Sequence, residues 1–521
     1  MAVSRMSLLP AAGAVLTVVF LIATDIPLGI PGEWTWNRQA HGHFIEHGFF
    51  MLIPLAAGFA LLEFSSLGTR RLGASVRRFE VLTWLVLLAV LTFVWLSVVQ
   101  TAAAPAHWQL KPNWVLYDPG SSGYFLTAQR EITGISSFLA GYEQRVAEGD
   151  VLHLGTHPPG LFLFHHSMLE LCKSSTALTD VVLSTQPSMY ADAFTTVERE
   201  VSLAGDALTE AERAALWLAA LLTQFIAALT VVPIYVLARQ THDRSTAWRI
   251  ATLWPFVPAL AVFLPRSDAL LPLFGTAMLA SWLAASGHGM RRQPAGMPLT
   301  FCVFAGGLSG LCFWLGMMTS LAVLPVALLC FVLTAGDICT RVRQDGRSKT
   351  VKWNLIAAFC GGVLVFLLAT AALYIIHDLN MFNVWMCNIR KHAGFYEEFE
   401  RTWWKWSLVN PVELSFAVGL PVAFVVGMGA IRTLRERAGM APEHVLQVLS
   451  VLGVWGLLHI SGKNLGEAAR LWLFVIPWFL WLVPLAFHTR NATAHKTWRT
   501  LVVCQMIVCV VTTSCVSGFR F

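Results

Sequence analysis

The sequence is poor in charge. Of its 521 residues only 13% are Asp, Glu, Lys or Arg, about half the share a soluble domain carries. With 56% of the chain hydrophobic, a water-soluble globule is excluded, because too little polar surface is available to cover the apolar remainder. The ten cysteines show no CxxC spacing and lie mostly inside apolar runs, which argues against a zinc ribbon or a dithiol redox centre and for small core residues. Only Cys172 and Cys387 fall in long loops, where a disulfide between them is an option. Glycine-rich phosphate loops are missing, and with them the usual nucleotide-binding motifs. No small-x-small cleavage site follows the first apolar run, Leu8 to Ile30, so that run reads as a retained helix.

What the chain does have is a succession of apolar runs near the 20 residues that a bilayer-crossing helix needs. They predict spans over 8–29, 45–64, 81–101, 213–238, 249–264, 269–287, 298–316, 319–336, 354–377, 411–431, 445–460, 469–488 and 500–516. The expected fold is an all-α polytopic membrane protein of about thirteen helices. The net charge of +6 is no nucleic-acid signal, because its basic residues cluster in alternate loops. The clusters are Arg70/Arg71/Arg77/Arg78, Arg239/Arg244/Arg249, Arg291/Arg292, Arg341/Arg343/Arg347/Lys349/Lys352, Arg432/Arg435/Arg437 and Arg490/Lys496/Arg499. The positive-inside rule then puts these loops and Met1 in the cytoplasm, and loops 31–44, 102–212 and 378–410 outside.

Those outer loops hold the chemistry. Asp118 lies in the turn-rich stretch Tyr117-Asp118-Pro119-Gly120-Ser121-Ser122-Gly123-Tyr124, where a carboxylate can serve as a general base or bind a cation, or simply cap a helix as an Asx-turn. His157-Pro158-Pro159 opens a stretch too short to span, read as an interfacial helix started by its prolines. It brings His157 to headgroup level, or leaves its histidines merely snorkelling. Arg266 and Asp268 sit at the outer end of a hairpin, as functional groups or as a pair satisfying each other. Ser461 to Arg470 precedes a late span, and Arg470 is either a bidentate phosphate ligand or a snorkelling helix-end arginine. Loop 378–410 adds Asn388 and His392 among tryptophans, a mixture suited to sugar faces and hydroxyls, or to an interfacial aromatic belt.

Taken in order, these features resemble the GT-C superfamily of polyprenyl-phosphate-sugar-dependent membrane glycosyltransferases, in particular its aminoarabinose transferase and protein O-mannosyltransferase branches. The resemblance runs from about Val81 to Pro484 and rests on Asp118, His157-Pro158-Pro159, Asp268 and Arg470. It implies a large extracytoplasmic loop with interfacial helices, and a sugar moved from a polyprenyl-phosphate donor to a lipid, glycan or protein acceptor by inverting displacement. Asp118 and Asp268 would then be the catalytic carboxylates. His157, Arg470 and Lys463 would bind the donor phosphate, and Tyr124, Asn388, His392 and Glu467 the sugar or acceptor. No metal ligands and no cofactor are assigned, and a divalent cation stays an option. Pro119 stands where many relatives have Glu, which puts a metal-binding acidic pair in doubt.

The resemblance places the enzyme in the plasma (inner) membrane with its active face extracytoplasmic. Residues 81–488 would form the core, 489–521 a cytoplasmic loop and last helix, and 1–80 an additional two-helix segment with unassigned Asp25, Glu33, His41, His43 and His47. Three other readings are open. A transporter or flippase would carry ionisable groups at mid-span on broken helices. A scaffold or sensor would need no ordered polar set. A metal hydrolase would use the histidines at 41, 43 and 47.

Overall fold

The computed structural model describes residues 5–39, 48–149, 154–202, 207–287, 297–345, 349–487 and 492–519. The histidines at 41, 43 and 47, and the arginines at 291, 292, 347 and 490, lie outside the described residues. The chain is a helical, multi-pass membrane protein. Nine helices are long and apolar enough to cross a bilayer among the described residues. They are Gly48–Gly73, Arg78–Gln100, Glu210–Ala238, Ser267–Ser286, Leu299–Thr319, Leu321–Thr340, Trp353–His377, Pro442–Ile460 and His495–Cys515. A tenth crossing is made if Trp403–Val418 and Leu420–Arg435, bent by 112° at Gly419, count as one. The runs expected at 8–29 and 469–488 form the shorter apolar helices Leu8–Ala23 and Leu473–Ala486.

The count differs from thirteen most instructively at 249–264. Hydropathy predicts a span there, but Pro255, Pro258 and Pro265 break the run into Arg244–Ala251, a turn at Trp254–Phe256 and the short helix Pro258–Phe263. Broken backbone is tolerated at membrane depth only where protein, not lipid, surrounds it. Leu253, Trp254, Phe256, Val257, Ala259, Leu260 and Ala261 are all fully buried. The freed carbonyls find side chains: Trp95 Nε1 donates to Pro255 O (2.9 Å), Gln505 Nε2 to Phe256 O (3.0 Å), and Gln100 Nε2 and Lys111 Nζ to Ala261 O (2.9 and 2.8 Å).

Elsewhere small residues set the packing. A Cβ at Gly306 or Gly310 would collide with the carbonyls of Ala358 and Gly362, so Leu299–Thr319 and the helix of residues 349–377 touch backbone to backbone. Basic residues of several inter-helix connections gather at one end of the bundle. Arg244 Nη1 donates to Val76 O (3.3 Å), the His242 and His444 rings stack at 5.5 Å, and Arg432 Nη1 reaches Ala486 O (3.5 Å).

The opposite end carries a helical cap. Residues 102–212 form the short helices Pro105–Tyr117, Tyr124–Arg130, Ile135–Ala140, Tyr142–Glu148, Gly160–Ser174, Thr176–Ser184 and Ser188–Ser202. As expected from Pro158-Pro159, Gly160–Ser174 starts directly after the prolines. Met381–Glu398 and the first half of the bent pair complete this cap. An N-terminal hairpin joins it, with Gly29–Ile30 paired to Trp34–Thr35, and Asn37–Arg38 paired antiparallel with Val516–Ser517.

Candidate functional site

The tight turn Ser461 to Glu467 is built from residues at positive φ, namely Gly462, Gly466 and Glu467. For Glu467, at φ 55°, the left-handed conformation is a strained one that surrounding contacts must hold. The turn delivers Arg470 into a half-buried position between two carboxylates. Its Nη2 lies 2.5 Å from Glu467 Oε2 and its Nη1 3.6 Å from Asp268 Oδ2. Burial lowers the affinity of Arg470 for its proton, but Glu467 and Asp268 outweigh it, so its pKa is raised. Residues about 200 positions apart in the sequence thus meet in one network.

Arg266 does not pair with Asp268 in the way the sequence allowed. Its Nη1 donates to Ser121 O (3.1 Å), while its Nε is buried without a partner among the described residues. Burial and the neighbouring Arg470 push its pKa down to about 10. This contact joins the Asp268 hairpin to the Asp118 turn, where the backbone N–H groups of Ser121 and Ser122 both donate to Asp118 O at 3.1 Å. The Asp118 carboxylate is half-buried and makes no ion pair among the described residues. It does not cap the following helix, whose N-terminal position is Gly123 at φ 70°.

Tyr124, the first residue of that helix, is within electrostatic reach of Arg470 and Arg266. Its ring meets the His157 imidazole edge-on at 5.4 Å. His157 Nδ1 lies 3.0 Å from Thr156 Oγ1, and its carbonyl accepts from Tyr142 Oη (2.9 Å) and Asn388 Nδ2 (3.3 Å). Asn388 is fully buried and also donates to Gly155 O (2.9 Å), so its amide holds the turn that presents His157. The chain therefore brings Tyr124, His157, Asp268, Glu467 and Arg470 into one neighbourhood, with Asp118 attached through Arg266.

Two sequence candidates stand apart from this neighbourhood. Lys463 is exposed, and its backbone carbonyl accepts from Tyr396 Oη (2.8 Å). His392 packs on Phe395 at 6.4 Å, one turn beyond Asn388.

Beneath the network lies a cavity of about 10 Å3 lined by Ser122, Tyr124, His165 and Ser267 among apolar side chains, room for about one water-sized group. His165 Nδ1 and Ser122 Oγ are buried there without partners among the described residues. Burial pushes the His165 imidazole down to about 3, which keeps it neutral.

No protein-family model and no curated protein matches the chain. Among solved structures it is similar to the Archaeoglobus fulgidus oligosaccharyltransferase in complex with Zn and sulfate, at 15% identity and a TM-score of 0.33, over 64% of this chain and 44% of that one. A second similar structure is archaeal oligosaccharyltransferase AglB from Archaeoglobus fulgidus with an inhibitory peptide and a dolichol-phosphate. The values there are 11% identity and a TM-score of 0.34, over 76% of this chain and 56% of that one. Both are oligosaccharyltransferases. The chain spans about half the length of these structures.

In the sequence, Arg401 and Tyr396 count among the cations and rings of loop 378–410, a candidate sugar or acceptor wall, but Arg401 is assigned no role of its own and Glu413 is not marked at all. Arg401 lies over the Trp406 ring at 5.9 Å with Nε and Nη1 buried and unpartnered among the described residues. It also acts electrostatically on Tyr396, which anchors the 463–465 turn through Leu465 N (2.8 Å). Glu413 is fully buried and accepts from Trp36 Nε1 (3.0 Å) and Ala469 N (3.1 Å). A carboxylate inside the apolar run 411–431 was the available signal. Arg401 gave none, since it reads as one more cation in an aromatic loop.

Proposed function

We propose that the protein is a membrane glycosyltransferase that moves a sugar from a polyprenyl-phosphate donor to an acceptor at the extracytoplasmic face. The observation that carries this reading is the Asp268–Arg470–Glu467 network, set beside the Asp118 turn at the mouth of bilayer-length helices. A donor anchored in the membrane can bring its phosphate to that level, and an acceptor can reach it from water or from lipid. The acceptor is a lipid, a glycan or a protein group bearing a hydroxyl or amine.

The reaction is a single displacement. The acceptor oxygen or nitrogen attacks the anomeric carbon as its proton passes to the Asp118 carboxylate, the acid group without an ion pair among the described residues. The bond from the anomeric carbon to the phosphate oxygen breaks with its electron pair, polyprenyl phosphate leaves, and configuration inverts. Arg470, Arg266 and Arg401 stabilise the charge on the leaving group through N–H donors that protein groups leave unspent. Asp268 and Glu467 orient Arg470, and Tyr124 and His157 flank the sugar. Asp268 and Glu467 share the Arg470 guanidinium as their cation.

A transporter would also place a buried carboxylate on a bent helix pair, as Glu413 is placed. The Oε1 of that carboxylate is engaged by Trp36 and Ala469, which favours a structural duty, while its Oε2 is buried without a partner among the described residues.

The test uses membranes containing the full chain and radiolabelled polyprenyl-phosphate sugars. Asp118→Asn is expected to insert normally, retain donor binding and lower turnover roughly 100-fold or more. Arg470→Ala is expected to weaken donor binding by about 1.5–3 kcal/mol. Wild-type transfer by a well-inserted Asp118→Asn protein would overturn the assignment of the base. Absence of transfer from every donor by the wild type would overturn the enzyme class.

A further inference from the structure

The N-terminal hairpin is absent from the region that resembles the glycosyltransferase superfamily, yet it touches the elements that carry the site. Glu33, at its turn, accepts from Thr402 N (2.8 Å), Thr402 Oγ1 (2.6 Å) and Trp406 Nε1 (2.7 Å), and lies 3.5 Å from Lys405 Nζ. Burial raises the Glu33 pKa, but these hydrogen bonds, led by Thr402, hold it below its ordinary value. Glu33 therefore stays ionised and clamps the first turn of Trp403–Val418. Next to it, the Trp34 ring lies 6.4 Å from the Trp406 ring, and Trp406 in turn covers Gly466, where a Cβ would press on the indole.

Trp36 makes the deeper contact. Its indole is buried and donates to Glu413 Oε1, and the same oxygen accepts the N–H of Ala469, the residue before Arg470. The carboxylate thus links a hairpin near the start of the chain to the backbone that aims Arg470. Asn410, one helical turn before Glu413, adds a second tie: its Oδ1 accepts from Gly466 N (3.3 Å) and its Nδ2 donates to Asn464 O (2.8 Å). The strained Glu467 conformation lies between these two ties. Such a conformation persists only where its surroundings over-determine it.

We infer that Trp36 and Glu413 are positioning residues, through which the N-terminal hairpin fixes the turn that presents Arg470 between Asp268 and Glu467. Neither touches the reacting groups. They act by removing alternative positions of the 466–470 backbone, so that the guanidinium is in place before a donor phosphate arrives. The inference about kinetics rests on the proposed function; the inference about the turn does not.

The experiment compares the purified full-length protein with Glu413→Gln, Glu413→Leu and Trp36→Phe. Gln keeps an oxygen to accept from Ala469 and Trp36, Leu removes it, and Phe keeps a ring but loses its donor. Amide hydrogen exchange of residues 466–472 is expected to accelerate about tenfold in Glu413→Leu, and less in Trp36→Phe, while Glu413→Gln exchanges as the wild type does. In the transfer assay Glu413→Leu is expected to raise the donor KM, as Arg470→Ala does, with Gln restoring it. Unchanged exchange in both Leu and Phe variants would overturn the inference, as would a Gln variant that exchanges as fast as Leu. If Glu413→Leu does not insert, Trp36→Phe decides by the same readout. A wild type that transfers no sugar would sink the proposed function and leave the exchange result to judge the brace.

Discussion

Two polar interiors of this molecule are treated in opposite ways. In the broken passage at 252–264, every backbone carbonyl named above is met by a side chain from another element, from Trp95, Gln100, Lys111 or Gln505. In the site at the cap end, Arg266 Nε, Arg470 Nε, Arg401 Nε and Nη1, Ser122 Oγ and His165 Nδ1 are buried without partners among the described residues. Leaving a buried polar group unpaired costs roughly 1–3 kcal/mol, so the second region carries a burden the first avoids. Unpartnered buried atoms also occur elsewhere, Gln505 Oε1, Gln447 Oε1 and Trp478 Nε1 among them, so what sets the second region apart is that its unpartnered groups include the cationic N–H donors of Arg266, Arg401 and Arg470.

That division can be broken by substitution on either side. The largest expected effect is Gln505→Leu, which strips the donor from both Phe256 O and Val418 O. Two orphaned carbonyls cost about 2–6 kcal/mol, read as a fall in unfolding midpoint in detergent, with turnover per folded molecule unchanged. Lost turnover at unchanged stability would put Gln505 on the wrong side of the division. Arg401→Ala should do the reverse, weakening donor binding by about 1.5–3 kcal/mol as a charge-assisted contact is lost, with the unfolding midpoint held. A large drop in that midpoint would show its guanidinium to be structural.

A third test sharpens the division by pH. Burial, helped by Arg266, lowers the Lys111 pKa from 10.5 to about 7. Between those two values the unfolded chain binds more protons than the folded one, so this group makes stability rise with pH from about 7 towards 10.5. Lys111→Met should flatten that rise, although it also leaves Ala261 O to Gln100 alone. An unaltered pH profile would mean that Lys111 stays charged in the fold.

The legible part of the fold was the part written in local composition. Apolar runs gave most of the membrane helices, and Pro158-Pro159 gave the start of Gly160–Ser174. The passage at 249–264 could not be separated from a lipid-facing span, because hydropathy counts Trp254 and Leu260 alike whether lipid or protein surrounds them. What decides its path is a set of donors such as Gln505, 249 residues from its partner. The site divides in the same way. Asp268 and Arg470 stood out as ionisable groups beside apolar runs, but their pairing is a property of the folded bundle. Glu33 was visible as an unassigned acid, and its bond to Thr402 spans 369 residues.

The pairing of Asn37–Arg38 with Val516–Ser517 has a consequence for biogenesis. Trp36 and Glu33 belong to a segment that is synthesised early, but its strand partner leaves the ribosome after all the membrane helices described. Until then, Arg38 can bind the carbonyls of Phe20, Leu21, Thr24 and Ile26, yet the hairpin has no strand on its far side. The site at the cap end would therefore mature last, and a nascent chain already carrying Asp118, Asp268 and Glu467 would wait for the Val516–Ser517 strand before Arg470 was fully held.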